Sequence, residues 1–275
     1  MSVERPQVIY TAHHASDKMG RFTPRSNLTD FQRRKFSDYD SGASVPENGI
    51  LTLRGRHSRG LIDLNRAPDS TTLFPEVDFE TPQPHKVWKH GLEPTPVERE
   101  WIKKKFYDKY HDRILQGVRR FSRTGVVVSW DSSSGGHLGK NEAGFDVDMP
   151  AIILSNKGSE GSCENFNPNE ITSCDPLFLE TIVIELGKAL RKYNLPDEVY
   201  MNLVYKGGYM GEHYNTRRHA AELDVPYEIQ SFQIEYSTVL THDQKTLAPK
   251  WTQLSKLKSA FEEAMDKTYA NFVRY

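Results

Sequence analysis

The sequence has few cysteines, no long apolar run and almost no net charge, and each absence excludes a class of protein. Only Cys163 and Cys174 occur among 275 residues. No signal-like apolar segment is visible near the first residues, so we expect a cytoplasmic protein. In that compartment the two cysteines are expected to be thiols. No stretch approaches the roughly 20 apolar residues of a membrane span. The 36 basic and 37 acidic side chains leave a formal charge of −1, which disfavours a nucleic-acid-binding protein.

The patterns that are present predict an α/β fold. Hydrophobic residues make up 37 % of the chain, and short β-rich runs alternate with long helical patterns. The length suits a single domain over residues 1–275. Strands are predicted at Val8–Tyr10, Ile50–Leu53, Leu61–Leu64, Val126–Val128, Ala151–Leu154, Val199–Val204 and Ile229–Tyr236.

Three segments have the apolar spacing of helices. Apolar residues recur every four positions between Ile102 and Val118, which predicts a helix from about Pro96 to Phe121. A second helix begins where Asp175 can cap and Pro176 fits the first helical position. A third helix is predicted at about residues 250–272. All three apolar stripes are expected to face the core.

Two segments, Ser132–Asp148 and Ser155–Cys174, match no regular element. Both are rich in Gly, Ser, Asn and Asp, and each touches the end of a predicted strand. Ligands of open α/β sheets bind at such strand ends, so these loops are candidate walls of a site. Their composition alone favours plain surface loops.

Histidines and carboxylates near the first strand are candidate metal ligands. His13 and His14 follow the strand directly, where an imidazole can reach a metal or a substrate. Asp38 and Asp40 lie two residues apart, and zinc accepts a carboxylate oxygen beside imidazole nitrogen. The same residues also fit a loop histidine pair and two turn-forming aspartates.

Arg59, Asn65 and Arg66 flank the predicted strand at Leu61–Leu64. A guanidinium group and an amide at a strand end suit bidentate recognition of a carboxylate, although a surface salt bridge fits the pattern too.

The last predicted strand carries Glu235 on the opposite face from its apolar residues. A glutamate on a core strand can act as a general base towards water, whereas an edge strand would simply expose it. The turn Lys206–Tyr209 precedes His213, which could face the same pocket.

Several short motifs together resemble the N-formylglutamate amidohydrolase family over roughly Val8 to Thr241. Ser58–Arg66 is similar to the family's Ser-Arg and Asp-Leu-Asn-Arg signature. Each further motif is short, and their common order carries the resemblance. In chain order these motifs are Leu73-Phe74-Pro75, Tyr110-His111, Trp130-Asp131, Gly161-Ser162-Cys163, Lys206-Gly207-Gly208-Tyr209, His213-Tyr214 and Gln233-Ile234-Glu235.

The resemblance implies a fold related to zinc carboxypeptidases, with a mixed central sheet and helices on both faces. It implies hydrolysis of N-formylglutamate to formate and glutamate in histidine breakdown, with one zinc ion and a glutamate that activates water. The ligand would be a small acyl amino acid or a dicarboxylate. By this resemblance, the metal ligands would be His14 and Asp40, with Asp38 as the alternative to Asp40. Glu235 would be the general base. The resemblance also implies that Asn65 and Arg66 hold a substrate carboxylate and that Arg59 and His213 are further substrate contacts.

The chain departs from the family at two places. The family's Pro-His-Ser-Gly reads His13-His14-Ala15-Ser16 here, and Ser133 stands where a second metal histidine is expected. His137 is the candidate replacement ligand. A nucleophilic role for Ser133 is disfavoured, because the segment lacks a Gly-x-Ser-x-Gly turn. Two alternatives stay open: a non-catalytic relative that binds a small carboxylate, and a related hydrolase with another substrate.

Overall fold

A six-stranded mixed sheet forms the centre of the molecule. The computed structural model describes residues 7–37, 41–78, 84–133, 137–246 and 248–272. The strands are β1 (Val8–Ala12), β2 (Leu51–Arg54), β3 (Val77–Asp78), β4 (His85–Lys86), β5 (Gly125–Ser133), β6 (His137–Lys140), β7 (Asp146–Asp148), β8 (Ile152–Ser155), β9 (Val199–Met201) and β10 (Ile229–Ser237).

The order in the sheet is β2-β1-β5-β10-β8-β9. The first four strands run parallel, β8 is antiparallel to β10, and β9 is parallel to β8. Two separate hairpins pair β3 with β4 and β6 with β7. The central strands contain consecutive apolar residues such as Val126–Val128, because parallel strands with helices on both faces are buried on both sides.

Helices cover both faces of the sheet, so the predicted mixed α/β architecture is confirmed. They are α1 (Asp30–Phe36), α2 (Ser41–Ser44), α3 (Pro96–Ile102), α4 (Asp108–Val118), α5 (Pro176–Lys192), α6 (Tyr209–His213), α7 (Thr216–Leu223), α8 (Thr238–Thr241) and α9 (Trp251–Phe272). A π-helical turn, Lys103–Tyr107, joins α3 to α4. None of these described helices is long and apolar enough to cross a membrane.

The sheet separates two hydrophobic cores. On one face, α5 and α9 pack against Trp130, Phe232 and Ile234. On the other face, α3 and α4 cover Ile9 and Val127. The side chain of Asp175 accepts the amide hydrogens of Leu177 and Phe178, so this residue caps α5 as predicted. Both cysteines are free and buried, in agreement with the prediction of thiols.

Three sequence predictions of local structure are wrong. Leu61–Leu64 forms buried turns rather than a strand, and Leu61, Ile62 and Leu64 are apolar because the loop itself is buried. The predicted strand Val199–Val204 ends at Met201, since Asn202 has a φ of 44°. The segment Ser132–Asp148 contains the hairpin of β6 and β7.

Candidate active site

Polar side chains gather where β1, β5 and β10 end. Successive side chains of a strand point to opposite faces. Trp130 and Ile234 therefore enter one core, while Asp131 and Glu235 point to the other side of the sheet. These two carboxylates occupy matching positions of neighbouring parallel strands. The parallel register thus brings acidic groups from residues more than 100 positions apart to one edge of the sheet.

A cavity of about 200 Å³ opens at this edge. Five residues selected from the sequence line it: His14, Arg59, Asn65, Arg66 and Glu235. Its volume is below the roughly 300–1,000 Å³ of pockets for drug-sized ligands. The cavity therefore suits a substrate of about the size of an amino acid.

His14 lies between two buried carboxylates. Its Nε2 is 2.9 Å from Asp63 Oδ1, and its Nδ1 is 3.1 Å from Asp131 Oδ2. Burial opposes a charged imidazole, but Asp131 and Asp63 outweigh burial and raise the pKa of His14. The contact with Asp63 fixes the ring orientation and leaves Nδ1 directed towards Asp131, as carboxylates do for metal-binding histidines.

His13 approaches the same oxygen of Asp131 from β1. Its Nε2 is 3.0 Å from Asp131 Oδ2, and its Nδ1 is 3.4 Å from the Ser129 hydroxyl. Burial and the neighbouring His14 lower the pKa of His13 and favour its neutral form. Neutral imidazole is the form that binds a metal.

His13, His14 and Asp131 have the chemistry of a cation site. Their ligand atoms all lie within 4.8 Å of one another in a buried position. Groups that share one tetrahedral zinc ion at about 2.0–2.1 Å lie about 3.3 Å apart, close to the contacts of Asp131 with the two imidazoles. Two imidazoles and one carboxylate are also a donor set that zinc accepts. These residues therefore fit a zinc ion.

Asp63 holds two arginines beside the cavity. Arg59 Nε is 3.0 Å from Asp63 Oδ2, and Arg66 Nε is 3.5 Å from the same oxygen. Burial would raise the pKa of Asp63, but Arg59 and His14 lower it well below the usual range. The carboxylate is therefore ionised at neutral pH and anchors both guanidinium groups next to the cavity.

Gln233 orients Glu235. The Gly208 amide donates to Gln233 Oε1 at 2.7 Å, and this donor fixes which end of the glutamine amide is the oxygen. The Gln233 Nε2 group then donates to Glu235 Oε1 at 2.7 Å. The glutamine amide therefore holds the Glu235 carboxyl group in place by a donated hydrogen bond.

Asn65 links this pair to the loop that precedes α6. Its Nδ2 donates to Gln233 Oε1 at 3.4 Å, and its Oδ1 accepts the Met210 amide at 2.9 Å. A Cβ on Gly208 would lie 2.2 Å from Asn65 Nδ2, so the close approach requires glycine. Asn65 lines the cavity and also holds the backbone of α6 through the Met210 amide.

The other predicted site residues lie elsewhere or outside the described residues. Asp38 and Asp40 are outside the described ranges, as is the side chain of His137, whose backbone begins β6. Ser133 ends β5 and lines the cavity. His213 lies at the end of α6, outside the set of described residues that line this cavity.

The sequence patterns gave no role to Asp63, Asp131 or Gln233, and the resemblance placed His14 rather than His13 among the metal ligands. Asp63 and Asp131 were visible as parts of motifs, and a carboxylate within a buried apolar segment needs a charged or hydrogen-bonding partner. That requirement was the available signal. The partners themselves come from distant parts of the chain, and only the fold identifies them.

Comparison with known proteins assigns the class and then the family. Two solved structures share the mixed α/β fold over 98 % of this chain. One is an N-formylglutamate amidohydrolase from Ralstonia eutropha, with a TM-score of 0.64, 17 % identity and 95 % of its chain covered. The other is a gene product from Agrobacterium tumefaciens, with a TM-score of 0.56, 15 % identity and 92 % covered.

The family follows from the sequence itself. A family model described as N-formylglutamate amidohydrolase matches residues 7–229, so the chain belongs to that family. An N-formylglutamate deformylase from Pseudomonas aeruginosa is 24 % identical over 196 residues. This match spans 65 % of the chain and 64 % of the length of that relative.

Proposed function

We propose that this protein is a metal-dependent amidohydrolase that cleaves the formyl amide of N-formylglutamate, releasing formate and glutamate. The observation that carries the proposal is the Glu235 carboxylate, which Gln233 orients in a small cavity shared with two arginines. Membership of the family names the first substrate to test. Metal dependence and the residue roles below are parts of the same proposal.

The substrate's carboxylates bind to Arg59 and Arg66. A guanidinium group can donate two parallel hydrogen bonds to a carboxylate, and the glutamate part of the substrate has two carboxylates. The Arg59 side chain is 15 % exposed and that of Arg66 is 40 % exposed, so the second is the more accessible to an entering substrate. Their shared contact with Asp63 fixes both groups before the substrate arrives.

His13, His14 and Asp131 hold the metal ion. In this proposal His13 supplies the imidazole that is missing at Ser133, because its Nε2 already contacts Asp131 beside His14. A zinc ion bound there supplies a Lewis acid for the formyl carbonyl. His137 and Asp40 remain predicted ligands from the sequence.

Glu235 handles the proton. Its carboxylate takes a proton from the attacking water, whose oxygen forms the new bond to the formyl carbon. When the C–N bond breaks, the same proton passes to the departing nitrogen, so formate and the free amino group are produced. The hydrogen bond from Gln233 keeps the carboxylate directed into the cavity during both transfers.

The direct test is formate release from N-formylglutamate by zinc-loaded protein, with Glu235→Gln as the matched control. We expect turnover by the wild type, a loss of about 100-fold or more in the control, and a raised KM in Arg66→Ala. The bound zinc is measured separately by elemental analysis, and we expect its loss from the site in His13→Ala and in His14→Ala.

Two results would contradict the proposal. Formate release no faster than in Glu235→Gln, with metal bound, would exclude the activity. Glutamate binding that is unaffected by a chelator and occurs without turnover would instead identify a non-catalytic carboxylate-binding relative. Retention of zinc at full stoichiometry in His13→Ala would exclude the role of His13 alone.

A further inference from the structure

A second cluster of metal-binding side chains lies outside the cavity, where α6 meets α7. His213 ends α6, and His219 and Glu222 belong to α7. One ligand atom from each of the three residues lies within 4.8 Å of the other two. The two imidazole rings are 4.9 Å apart, and His213 also stacks on Tyr209. The ring of Tyr209 thereby restricts the orientation of the first imidazole.

The spacing of the three groups fits a shared cation better than direct hydrogen bonds. His219 Nδ1 is 3.4 Å from Glu222 Oε1, and His213 Nδ1 is 3.8 Å from Glu222 Oε2. Both distances exceed the 2.7–3.2 Å of ordinary hydrogen bonds. The shorter distance is close to the roughly 3.3 Å that separates ligand atoms around tetrahedral zinc, and one ligand atom of each residue lies within 4.8 Å of the others. The two nitrogens also face different oxygens of one carboxylate.

The backbone of α7 changes direction at the same place. His219 has φ −128° and ψ 31° within α7, which departs from helical values and kinks the helix. The kink occurs at the residue that contributes the second imidazole.

We infer that His213, His219 and Glu222 form a second binding site for a divalent transition-metal cation, of which zinc is the best-fitting example. Two imidazoles and one carboxylate are a donor set that zinc accepts, with a fourth position open to solvent. Glu222 is 61 % exposed, so the site has direct access to solvent.

A cation at this site joins two helices that support the cavity. The segment from Gly208 to Met210, which includes the start of α6, donates the Gly208 amide to Gln233 and the Met210 amide to Asn65. A metal ion shared between the end of α6 and α7 would restrict movement of that segment. Its role is therefore structural, and it does not depend on the proposed hydrolysis.

The test is a zinc titration of the full chain by calorimetry, combined with thermal unfolding in the presence and absence of zinc. We expect His219→Gln and Glu222→Gln each to weaken this site by about 100-fold or more and to abolish its part of the zinc-dependent rise in Tm. His90→Gln, which removes an exposed histidine elsewhere, should leave the titration unchanged. His14→Ala should also retain this site, which separates it from the candidate catalytic centre.

The proposal is overturned if zinc stoichiometry and the zinc-dependent Tm shift are the same in His219→Gln, Glu222→Gln and the wild type. Loss of zinc binding in His14→Ala alone would likewise assign all bound metal to the cavity. Circular dichroism of each variant without zinc shows whether it is folded, so a misfolded protein is not mistaken for loss of the site.

Discussion

Basic side chains and carboxylates alternate along a series of contacts at the sheet edge. Arg59 contacts Asp63, Asp63 contacts His14, and His14 contacts Asp131. Burying a charge is costly unless opposite charges or hydrogen bonds compensate it. Arg59 is the cation beside Asp63, and the imidazoles of His13 and His14 lie within hydrogen-bond distance of Asp131. Despite burial, these contacts hold the pKa of both carboxyl groups below the usual range.

A single hydrogen bond gives a residue-scale prediction. Gln233→Leu removes the donor to Glu235 and leaves the Gly208 amide without its acceptor. A misplacement of about 1 Å at a reacting group can cost about 100-fold in rate, so we expect kcat to fall by about that factor with a smaller change in KM. Steady-state formate release measures both constants. A kcat equal to that of the wild type would show that Gln233 does not position Glu235.

Apolar periodicity predicted the elements that are long and half buried. The starts of α3 and α5 and the apolar faces of α4 and α9 follow from local spacing and capping, which the sequence displays directly. The loop Leu61–Leu64 did not follow, because a short buried run of mainly apolar residues looks alike in a strand and in a buried turn. The π-helical turn before α4 was also missed, since a one-residue widening leaves only a small shift in the spacing.

The candidate site was predictable only in its separate parts. His14, Arg59, Arg66 and Glu235 were found as short motifs, and the structure brings them to one cavity. Their partners depend on strand order and register, which relate positions such as Asp131 and Glu235 that are far apart in sequence. Local patterns do not contain that information.

Two helical glycines give an element-scale prediction. A Cβ at Gly187 in α5 would meet its nearest atoms at 3.9 and 4.0 Å, whereas a Cβ at Gly117 in α4 would lie 2.8 Å from Ile9 and 2.9 Å from Leu51. Alanine is about 1 kcal/mol more favourable than glycine within a helix, so Gly187→Ala should raise the free energy of unfolding by roughly that amount.

The matched substitution in α4 should be less favourable. Gly117→Ala gains the same helix preference but crowds Ile9 of β1 and Leu51 of β2, and overpacking of this kind typically costs about 1–3 kcal/mol. The free energy of unfolding of Gly117→Ala should therefore lie about 1–3 kcal/mol below that of Gly187→Ala. Urea unfolding of both variants and the wild type measures the two changes. Destabilisation by Gly187→Ala, or equal stabilisation by the two substitutions, would contradict the described packing of these helices.

At the scale of the whole molecule, the buried residue His111 connects helix α4 to the loop that contains Asp63 and Asn65. His111 of α4 donates from Nε2 to the Leu64 carbonyl at 3.1 Å, and its Nδ1 pairs with the Tyr214 hydroxyl. A carbonyl only accepts, so the proton of the neutral ring lies on Nε2. Asp63 and Asn65 lie in turns rather than in a strand, and this contact helps to hold that part of the chain against α4.

Burial of His111 makes the stability of the whole molecule depend on pH. Burial lowers the pKa of His111 to about 3, whereas an unfolded histidine titrates near about 6.5. Between these values the unfolded chain binds one more proton than the folded chain, so stability decreases as the pH falls through 6.5. Between pH 7 and pH 5 this group should remove about 2 kcal/mol from the free energy of unfolding.

Urea unfolding at both pH values should show that His111→Gln loses about 2 kcal/mol less than the wild type, while the exposed-site control His90→Gln loses as much as the wild type. Equal losses in all three proteins would mean that His111 is not the buried neutral group that ties α4 to the loop of the site.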